Sequence, residues 1–264
     1  MSIIEAIILG IVQGLTEFLP VSSSGHLQLA KALLGVEIEE NLLFDCTLHA
    51  ATVLSTIVIL WPEIKRLIMG LFSRTFNDEQ AYIIKLIISM IPIAIVGFTL
   101  KDYLNAMLSS PYILTIVGAM LLLTAVLLTF AYYARPRNKA TISYRDATII
   151  GVAQAVAAMP GLSRSGSTIA TGIILGNEKS QVAQFSFLMV LAPILGEMLL
   201  NIAKGEVVFS SIGTAPLLAG FIASFVVGCL ACKFMLGIVR RGKLVWFAVY
   251  CAIVGVISII CNFI

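Results

Sequence analysis

The chain has 264 residues, of which 59% are hydrophobic and 12% are charged, and its mean hydropathy is +1.03. A soluble domain carries about 25% charged residues. The composition therefore excludes an ordinary soluble protein and predicts one all-α integral membrane domain over residues 1–264. The formal net charge of +3 is small, and without a basic patch interleaved with aromatic residues we do not expect nucleic acid as a partner.

The first elements predict a hairpin that enters the membrane without crossing it. Residues 3–19 predict an apolar helix that Pro20 ends, residues 21–25 predict a turn rich in serine and glycine, and residues 26–35 predict a short helix. Ten helical residues cover about 15 Å, half of the hydrocarbon core. A re-entrant hairpin with its tip near the midplane fits these lengths, and such a tip is tolerated only where it lines a polar cavity.

The rest of the chain predicts six membrane spans and a second hairpin at residues 144–175. The spans are expected at residues 42–60, 83–100, 112–134, 182–203, 215–236 and 244–264. Each half thus consists of one hairpin and three crossings. Because three is odd, the second half enters from the opposite side. This layout predicts two inverted repeats, residues 1–140 and 141–264, as in transporters whose sites lie between the halves.

The two hairpins share a sequence pattern. A shift of 141 residues, without a gap, aligns residues 8–27 with residues 149–168. The matched pairs are Gly10 with Gly151, Gln13 with Gln154, Ser22 with Ser163, Ser24 with Ser165 and Gly25 with Gly166. Identities at rare polar positions within apolar sequence indicate two copies of one polar hairpin.

The distribution of basic residues indicates the orientation. Alternating sides at successive spans puts only Lys31, Lys101 and Lys204 on one face of the membrane. The other face receives thirteen basic residues: Lys65, Arg66, Arg74, Lys85, Arg135, Arg137, Lys139, Arg145, Lys179, Lys233, Arg240, Arg241 and Lys243. The positive-inside rule makes the crowded face cytoplasmic, so both termini are expected outside.

The first hairpin carries a carboxylate and three hydroxyls. Gln13 and Glu17 are four residues apart and therefore share one helix face. An intramembrane carboxylate usually marks a site or a path, the alternative being a pair with a neighbouring helix. Ser22, Ser23 and Ser24 are expected to cap the short helix, and free N–H groups at a helix start also favour anions.

Two histidines lie nearby in the sequence. His26 alone could be a buried histidine with satisfied hydrogen bonds, but beside Glu17 and the serines we predict a catalytic role. Asp45 and His49 are four residues apart at the start of a predicted span. We expect them to pair with each other or to support the site.

The second hairpin carries the sequence PGLSRSGST at residues 160–168. Arg164 is costly beside an apolar helix unless an anion pairs with it. Its guanidinium can hold phosphate oxygens bidentately, and the hydroxyls of Ser163, Ser165 and Thr168 can satisfy the remaining acceptors. The segment is neither a Walker loop nor a GxSxG nucleophile elbow. If the two tips meet, the combined groups predict phosphoryl transfer inside a membrane.

These residues resemble a known family. Residues 13–26, QGLTEFLPVSSSGH, are similar to the (E/Q)xxxE and PVSSxGH motifs of the undecaprenyl pyrophosphate phosphatases, the bacitracin-resistance family. Residues 160–168 resemble the PGxSRSxxT motif of the same family. Order, spacing and chain length all fit, so the resemblance spans the whole chain.

The resemblance implies hydrolysis of undecaprenyl diphosphate, a C55 polyprenyl diphosphate, to the monophosphate, which recycles the lipid carrier of cell-wall synthesis and confers bacitracin resistance. It implies a multi-pass protein of the bacterial plasma membrane whose site opens to the extracytoplasmic side. It also implies a divalent cation, Mg²⁺ or Ca²⁺. Gln13 and Glu17 match the family's carboxylate pair and are the expected cation ligands, although Gln in the first position weakens binding through two carboxylates.

The expected roles follow from this resemblance. Glu17 holds the cation or activates the nucleophile, and His26 carries a proton. Ser23 is either the nucleophile or a substrate ligand, so a phosphoserine and direct attack by water both stay open. The residues expected to bind the diphosphate are Ser22, Ser24, Ser163, Arg164, Ser165 and Thr168.

Two other functions compete with hydrolysis. Inverted repeats with re-entrant hairpins are a carrier architecture, so the protein could flip the lipid phosphate, alone or in addition to cleaving it. An ion-coupled carrier of small anions is the third hypothesis. The expected partners are the polyprenyl diphosphate and membrane lipids, with a homodimer as one assembly to test.

Overall fold

The computed structural model describes residues 1–36, 42–108, 110–134, 139, 141–204 and 213–263. Over these residues the chain forms helices and no strand, apart from one isolated bridge between Lys139 and Asn177. The helices in chain order are α1 (Ile3–Phe18), α2 (Ser23–Leu34), α3 (Leu42–Ile59), α4 (Trp61–Leu71), α5 (Asp78–Thr99), α6 (Lys101–Leu108), α7 (Ile113–Tyr133), α8 (Tyr144–Val156), α9 (Arg164–Ile174), α10 (Lys179–Met189), α11 (Leu191–Ala203), α12 (Thr214–Arg241) and α13 (Val245–Cys261).

Five of the predicted spans are long and apolar enough to cross a membrane. They are α3, α5, α7, α12 and the segment Lys179–Ala203, which combines α10 and α11. The sixth, α13, is apolar but has 17 residues, at the lower end of the range of about 17–25 for a span. The all-helical membrane class is thus confirmed.

Two features were not expected from the sequence. The predicted span 182–203 is divided at Val190, which ends α10 and precedes α11. The short helices α4 and α6 follow α3 and α5 directly, and α4 begins where Pro62 occupies the first turn. Pro at this position is compatible with a helix start because the first N–H groups have no intrahelical partner.

The first helix of each hairpin packs on a long helix of the other half of the chain. Helix α1 packs on α12, and a Cβ atom added at Gly10 would lie 2.5 Å from the carbonyl oxygen of Gly220. Helix α8 packs on α5, and a Cβ atom added at Gly151 would lie 2.5 Å from the carbonyl oxygen of Ser89. Glycine thus permits backbone contact at both crossings. Such close packing stabilises helices in lipid, where burial of apolar surface gives little driving force.

One hydrophobic core joins the two halves. It includes Phe18 of α1, Leu128 of α7, Ile169 of α9 and Met235 of α12, and the ring of Phe18 packs edge to face on Phe187. The outer surface is also apolar, with exposed side chains that include Phe98, Phe130, Leu230 and Trp246. An apolar exterior around a packed interior suits a protein surrounded by lipid.

The turn of the first hairpin is shorter than we predicted. Helix α2 begins at Ser23, three residues before the expected start at His26, so the prediction of a turn over residues 23–25 was wrong. Ser22 is the N-cap, and its Oγ accepts a hydrogen bond from the Gly25 N–H. This capping bond is the physical reason that a segment rich in serine and glycine forms the first helical turn.

Candidate active site

Glu17 lies where the two hairpins meet, and its side chain is 7% exposed. Its Oε1 accepts a hydrogen bond from Arg164 Nη2 at 3.0 Å. Its Oε2 accepts hydrogen bonds from Ser23 Oγ and from Gln13 Nε2, both at 2.9 Å. The structure thus brings four of the predicted site residues together on one buried carboxylate.

Helix ends position these groups. Glu17 is in the last turn of α1, whereas Ser23 and Arg164 are the first residues of α2 and α9. The first turn of a helix presents free N–H groups and a partial positive charge. The Glu17 carboxylate therefore faces two helix N-termini and a guanidinium. The same environment suits a phosphate group.

The hairpin tips touch through small residues. Ser165 Oγ donates a hydrogen bond to the carbonyl oxygen of Leu19 at 3.2 Å. A Cβ atom added at Gly25 would lie 3.6 Å from Gly161 Cα. Gly161 has a φ of +91°, and a Cβ atom there would lie 2.5 Å from Val117 Cα, so the second tip requires glycine at this position.

Buried hydroxyls support the second tip. Ser163 is the N-cap of α9, where its Oγ accepts the Gly166 N–H at 3.0 Å. Thr168 Oγ1 donates to the carbonyl oxygen of Arg164 at 2.9 Å and lies 2.5 Å from Ser186 Oγ. In this arrangement the hydroxyls stabilise the segment that presents the guanidinium.

The first tip contains a strained residue. Ser22 has a φ of +71°, and within the described part of the chain it is the one residue other than glycine with a positive φ. Its Oγ lies 3.4 Å from the Oγ of Ser24, which is exposed. Backbone strain of this kind often occurs at functional sites, and here it immediately precedes Ser23.

His26 lies outside the hydrogen-bond set of Glu17. Its Nδ1 is 2.9 Å from the carbonyl oxygen of Ser22, and its Nε2 is 2.7 Å from Tyr250 Oη. A carbonyl oxygen only accepts, so Nδ1 carries a proton, and in the neutral imidazole Nε2 accepts from the tyrosine hydroxyl. Nothing in the sequence pattern had indicated Tyr250.

The expected pair between Asp45 and His49 does not form. The Asp45 carboxylate accepts hydrogen bonds from Lys31 Nζ at 2.7 and 2.8 Å, and the Lys31 side chain is 1% exposed. His49 instead lies beside the site, with Nδ1 3.2 Å from Gln13 Nε2. The pairing alternative was therefore wrong, because a helix brought in from another part of the chain supplies a better partner for Asp45.

A cleft extends from Glu17 and Arg164 towards α3 and the junction of α10 and α11. Its further polar lining is Thr52, Thr56, Ser165 and Ser186, and its apolar lining is Phe18, Val53, Phe187, Val190, Leu191 and Ile194. Thr52 and Thr56 share one face of α3 with Asp45 and His49. This polar stripe is the sequence signal that would have identified the two threonines as residues of the site. Charged and apolar side chains thus line the same cleft, which suits an amphipathic ligand.

The geometry allows phosphoryl-transfer chemistry. Ser23 donates its hydroxyl hydrogen to a carboxylate, which is the arrangement of a nucleophile beside its base. Arg164 provides positive charge on the other side of that carboxylate, where it can stabilise charge on phosphate oxygens. The fold and the site define a polytopic helical membrane protein with a polar site between two hairpins.

The chain belongs to the family described as bacitracin resistance protein BacA, which it matches over residues 6–257. Curated relatives named undecaprenyl-diphosphatase match nearly the full length. One from Bacteroides fragilis is 60% identical over 97% of each chain, and one from Parabacteroides distasonis is 58% identical over 99% of each. One from Christiangramia forsetii is 48% identical over 98% of each chain.

Proposed function

We propose that this protein is an undecaprenyl-diphosphatase. It hydrolyses undecaprenyl diphosphate to undecaprenyl phosphate and inorganic phosphate, which returns the lipid carrier to cell-wall synthesis and accounts for bacitracin resistance. The observation that carries this proposal is the convergence of Ser23 and Arg164, from different hairpins, on the Glu17 carboxylate in a chain of this family. The apolar side chains that line the adjoining cleft are compatible with the lipid end of the substrate.

Ser23 is the proposed nucleophile. Its oxygen attacks the terminal phosphorus while Glu17 accepts the hydroxyl proton, and the bond from that phosphorus to the bridging oxygen breaks. Undecaprenyl phosphate leaves with the electron pair, and water then hydrolyses the phosphoserine to inorganic phosphate. In the alternative, Glu17 accepts a proton from water, which attacks the phosphorus directly. Both routes use the Glu17 carboxylate as the base, and only the first uses its hydrogen bond from Ser23.

Arg164 is the proposed clamp for the diphosphate. In the free protein its guanidinium is paired with Glu17, and a bound diphosphate provides a second anion for the remaining N–H groups. The side-chain hydroxyls of the two tips and the helix N-termini complete the binding site. The residues that carry these hydroxyls are Ser22, Ser24, Ser163, Ser165 and Thr168.

His26 is proposed as a proton carrier through Nε2. This role requires Nε2 to exchange the Tyr250 hydroxyl for a substrate or water molecule. The Nδ1 hydrogen bond to the Ser22 carbonyl oxygen would hold the ring in place during that exchange.

A divalent cation, Mg²⁺ or Ca²⁺, is proposed to act with Glu17 and Gln13. Gln13 Oε1 is buried without a hydrogen-bond partner, and an amide oxygen and a carboxylate are ligands that such cations accept. The described residues contain no group of three or more His, Cys, Asp or Glu that could hold a metal. This fits a cation shared with substrate phosphates, as Mg²⁺ commonly is. When bound, it would neutralise charge on the diphosphate.

The inverted-repeat layout is also proposed, with repeats at residues 1–140 and 141–264. Ser2 and Ser143 are 141 residues apart and cap α1 and α8 with the same φ of −78° and ψ of 163°. Each hairpin packs on a long helix of the other half. We propose that both hairpins are re-entrant, that both termini lie outside, and that the site opens to the extracytoplasmic side of the bacterial plasma membrane. The uneven distribution of basic residues supports this orientation.

Phosphate release by purified protein in detergent tests the function. A detergent micelle has no second compartment, so a carrier of lipid phosphate or of small anions would release none. We expect release from undecaprenyl diphosphate by the unaltered protein and its loss in Glu17→Gln. Glu197→Gln is the matched control, because Glu197 is exposed on α11. Absence of release by the unaltered, folded protein would contradict the proposal.

A further inference from the structure

His49 is the one imidazole that the structure places, within the described residues, at the Glu17 site. It lies on α3, and its side chain is 31% exposed. Its Nδ1 is 3.2 Å from Gln13 Nε2 and 3.8 Å from Glu17 Oε2. Because Lys31 holds the Asp45 carboxylate, His49 has no competing partner on its own helix face.

The hydrogen-bond donors of Gln13 determine the role of His49. The amide nitrogen carries two hydrogens, both of which it can donate, and it accepts no hydrogen bond. One hydrogen is donated to Glu17 Oε2 at 2.9 Å, and the other is directed at His49 Nδ1. His49 Nδ1 is therefore an acceptor, and both hydrogens of the Gln13 amide are held.

This arrangement fixes which end of the amide faces Glu17. If the amide rotated by half a turn, Oε1 would replace Nε2 beside the carboxylate, and two acceptors would face each other. In the observed orientation Oε1 lies on the other branch of the planar amide and is buried without a partner. A buried oxygen without a donor is unfavourable and requires an explanation. A cation or a diphosphate-bound donor would provide one.

We propose that His49 is a positioning residue, which holds the Gln13 amide so that Oε1 is available as a ligand for the cation of the diphosphate site. The inference rests on the proposed function, because the cation is useful only where a diphosphate binds. His49 acts here through Gln13 and does not touch the reacting atoms. The ring is partly exposed, so it can be substituted without loss of the core.

Cation binding measures this role without catalysis. The probe is Mn²⁺, measured by electron paramagnetic resonance on detergent-solubilised protein with methylenediphosphonate, a diphosphate analogue that resists hydrolysis. His49→Leu removes the acceptor, whereas His49→Asn keeps an acceptor atom near the position of Nδ1. We expect His49→Leu to weaken Mn²⁺ binding by about tenfold or more, and His49→Asn to weaken it by less than about threefold.

A second background shows whether His49 acts through Gln13. In Gln13→Ala the amide is gone, so adding His49→Leu should change Mn²⁺ binding no further. Equal binding by the unaltered protein and His49→Leu would overturn the proposal. So would a further loss in the Gln13→Ala background, or a loss in His49→Asn as large as that in His49→Leu. If His49→Leu does not fold, His49→Gln replaces it, because its longer side chain places the acceptor elsewhere.

The same samples separate this inference from the function. Phosphate release from undecaprenyl diphosphate by the unaltered protein tests the activity, and the Mn²⁺ series tests His49. A protein that binds Mn²⁺ in the expected order but releases no phosphate would contradict the phosphatase and support the role of His49. A protein that releases phosphate and binds no Mn²⁺ would support the phosphatase and contradict the role of His49.

Discussion

Ser23 and Arg164 stand 141 residues apart at the same position of two repeated hairpins, and they donate to opposite oxygens of one carboxylate. That carboxylate belongs to Glu17, whose counterpart in the second hairpin is Ala158. Gln154, the counterpart of Gln13, is buried with both amide atoms unpaired. The aligned residues 8–27 and 149–168 therefore contain one acid, and both tips converge on it.

The role of Arg164 leads to the first prediction. Arg164→Lys keeps the positive charge but loses the planar fork that can hold Glu17 and a phosphate together. We expect phosphate release to fall by about a hundredfold or more, as for other lost transition-state contacts. The measurement is kcat/KM for undecaprenyl diphosphate in detergent.

Arg66→Lys is the matched control for that substitution. Arg66 pairs with Glu63 and Glu79, its side chain is 51% exposed, and it lies outside the site. We expect activity close to that of the unaltered protein. If Arg164→Lys were as active as Arg66→Lys, a bidentate contact to the diphosphate would not be needed.

Ser23→Ala separates covalent catalysis from attack by water. The change removes one hydroxyl at a helix start and leaves the Ser22 cap in place. If Ser23 is the nucleophile, we expect the variant to bind the lipid diphosphate and to be almost inactive. Unaltered protein quenched during turnover should carry phosphate on Ser23, detectable by mass spectrometry. Retention of more than about a tenth of the rate, a deficit below roughly 1.4 kcal/mol, would favour water activated by Glu17.

The sequence was sufficient for the helical membrane class and for the meeting of Glu17, Ser23 and Arg164. Composition predicts the class, because few charges are compatible with lipid-facing helices. The hairpin repeat predicts which polar residues occupy helix ends. These signals are present in the sequence itself, so a single sequence is enough to recognise them.

The hydrogen-bond partners of Asp45, His49 and His26 could not be predicted from the sequence in the same way. Each contact joins helices that are distant in the sequence, and no spacing rule links Asp45 to Lys31 or His26 to Tyr250. Packing between helices decides these contacts. The division at Val190 was also missed, although Pro193 inside the predicted span 182–203 was a signal for it, because proline has no N–H to donate to the carbonyl oxygen of Met189 one turn earlier.

The glycine crossings provide a stability prediction. Gly10→Ala and Gly151→Ala each place a methyl group against a carbonyl oxygen of a neighbouring helix. We expect each to destabilise the protein by about 1–3 kcal/mol, as overpacked sites do. Gly237→Ala is the control, because a Cβ atom there meets nothing within 4 Å, and alanine favours the helix by up to about 1 kcal/mol. Thermal unfolding in detergent measures all three, and equal Tm values would contradict the close crossings.

Removal of divalent cations is expected to abolish turnover. The diphosphate carries several negative charges, and Arg164 is already paired with Glu17 in the free protein. We expect a chelator to stop phosphate release and added Mg²⁺ or Ca²⁺ to restore it, with the Tm of the chelated protein showing that it stays folded. Full activity in chelator would mean that Arg164 and the helix N-termini suffice for the diphosphate.

The orientation can be tested with single cysteines. Position 138 lies outside the described residues, in a segment flanked by Arg135, Arg137 and Lys139, and we expect it on the cytoplasmic side. Cys261, exposed at the end of α13, is expected outside, because the proposed layout places one re-entrant hairpin and three crossings between the two positions. An impermeant thiol reagent added to intact cells should label a variant that keeps only Cys261. A variant whose single cysteine is at position 138 (Asn138→Cys) should react only after the membrane is made permeable to the reagent. Labelling of both positions from outside would rule out the inverted-repeat layout, because an odd number of crossings must place them on opposite sides.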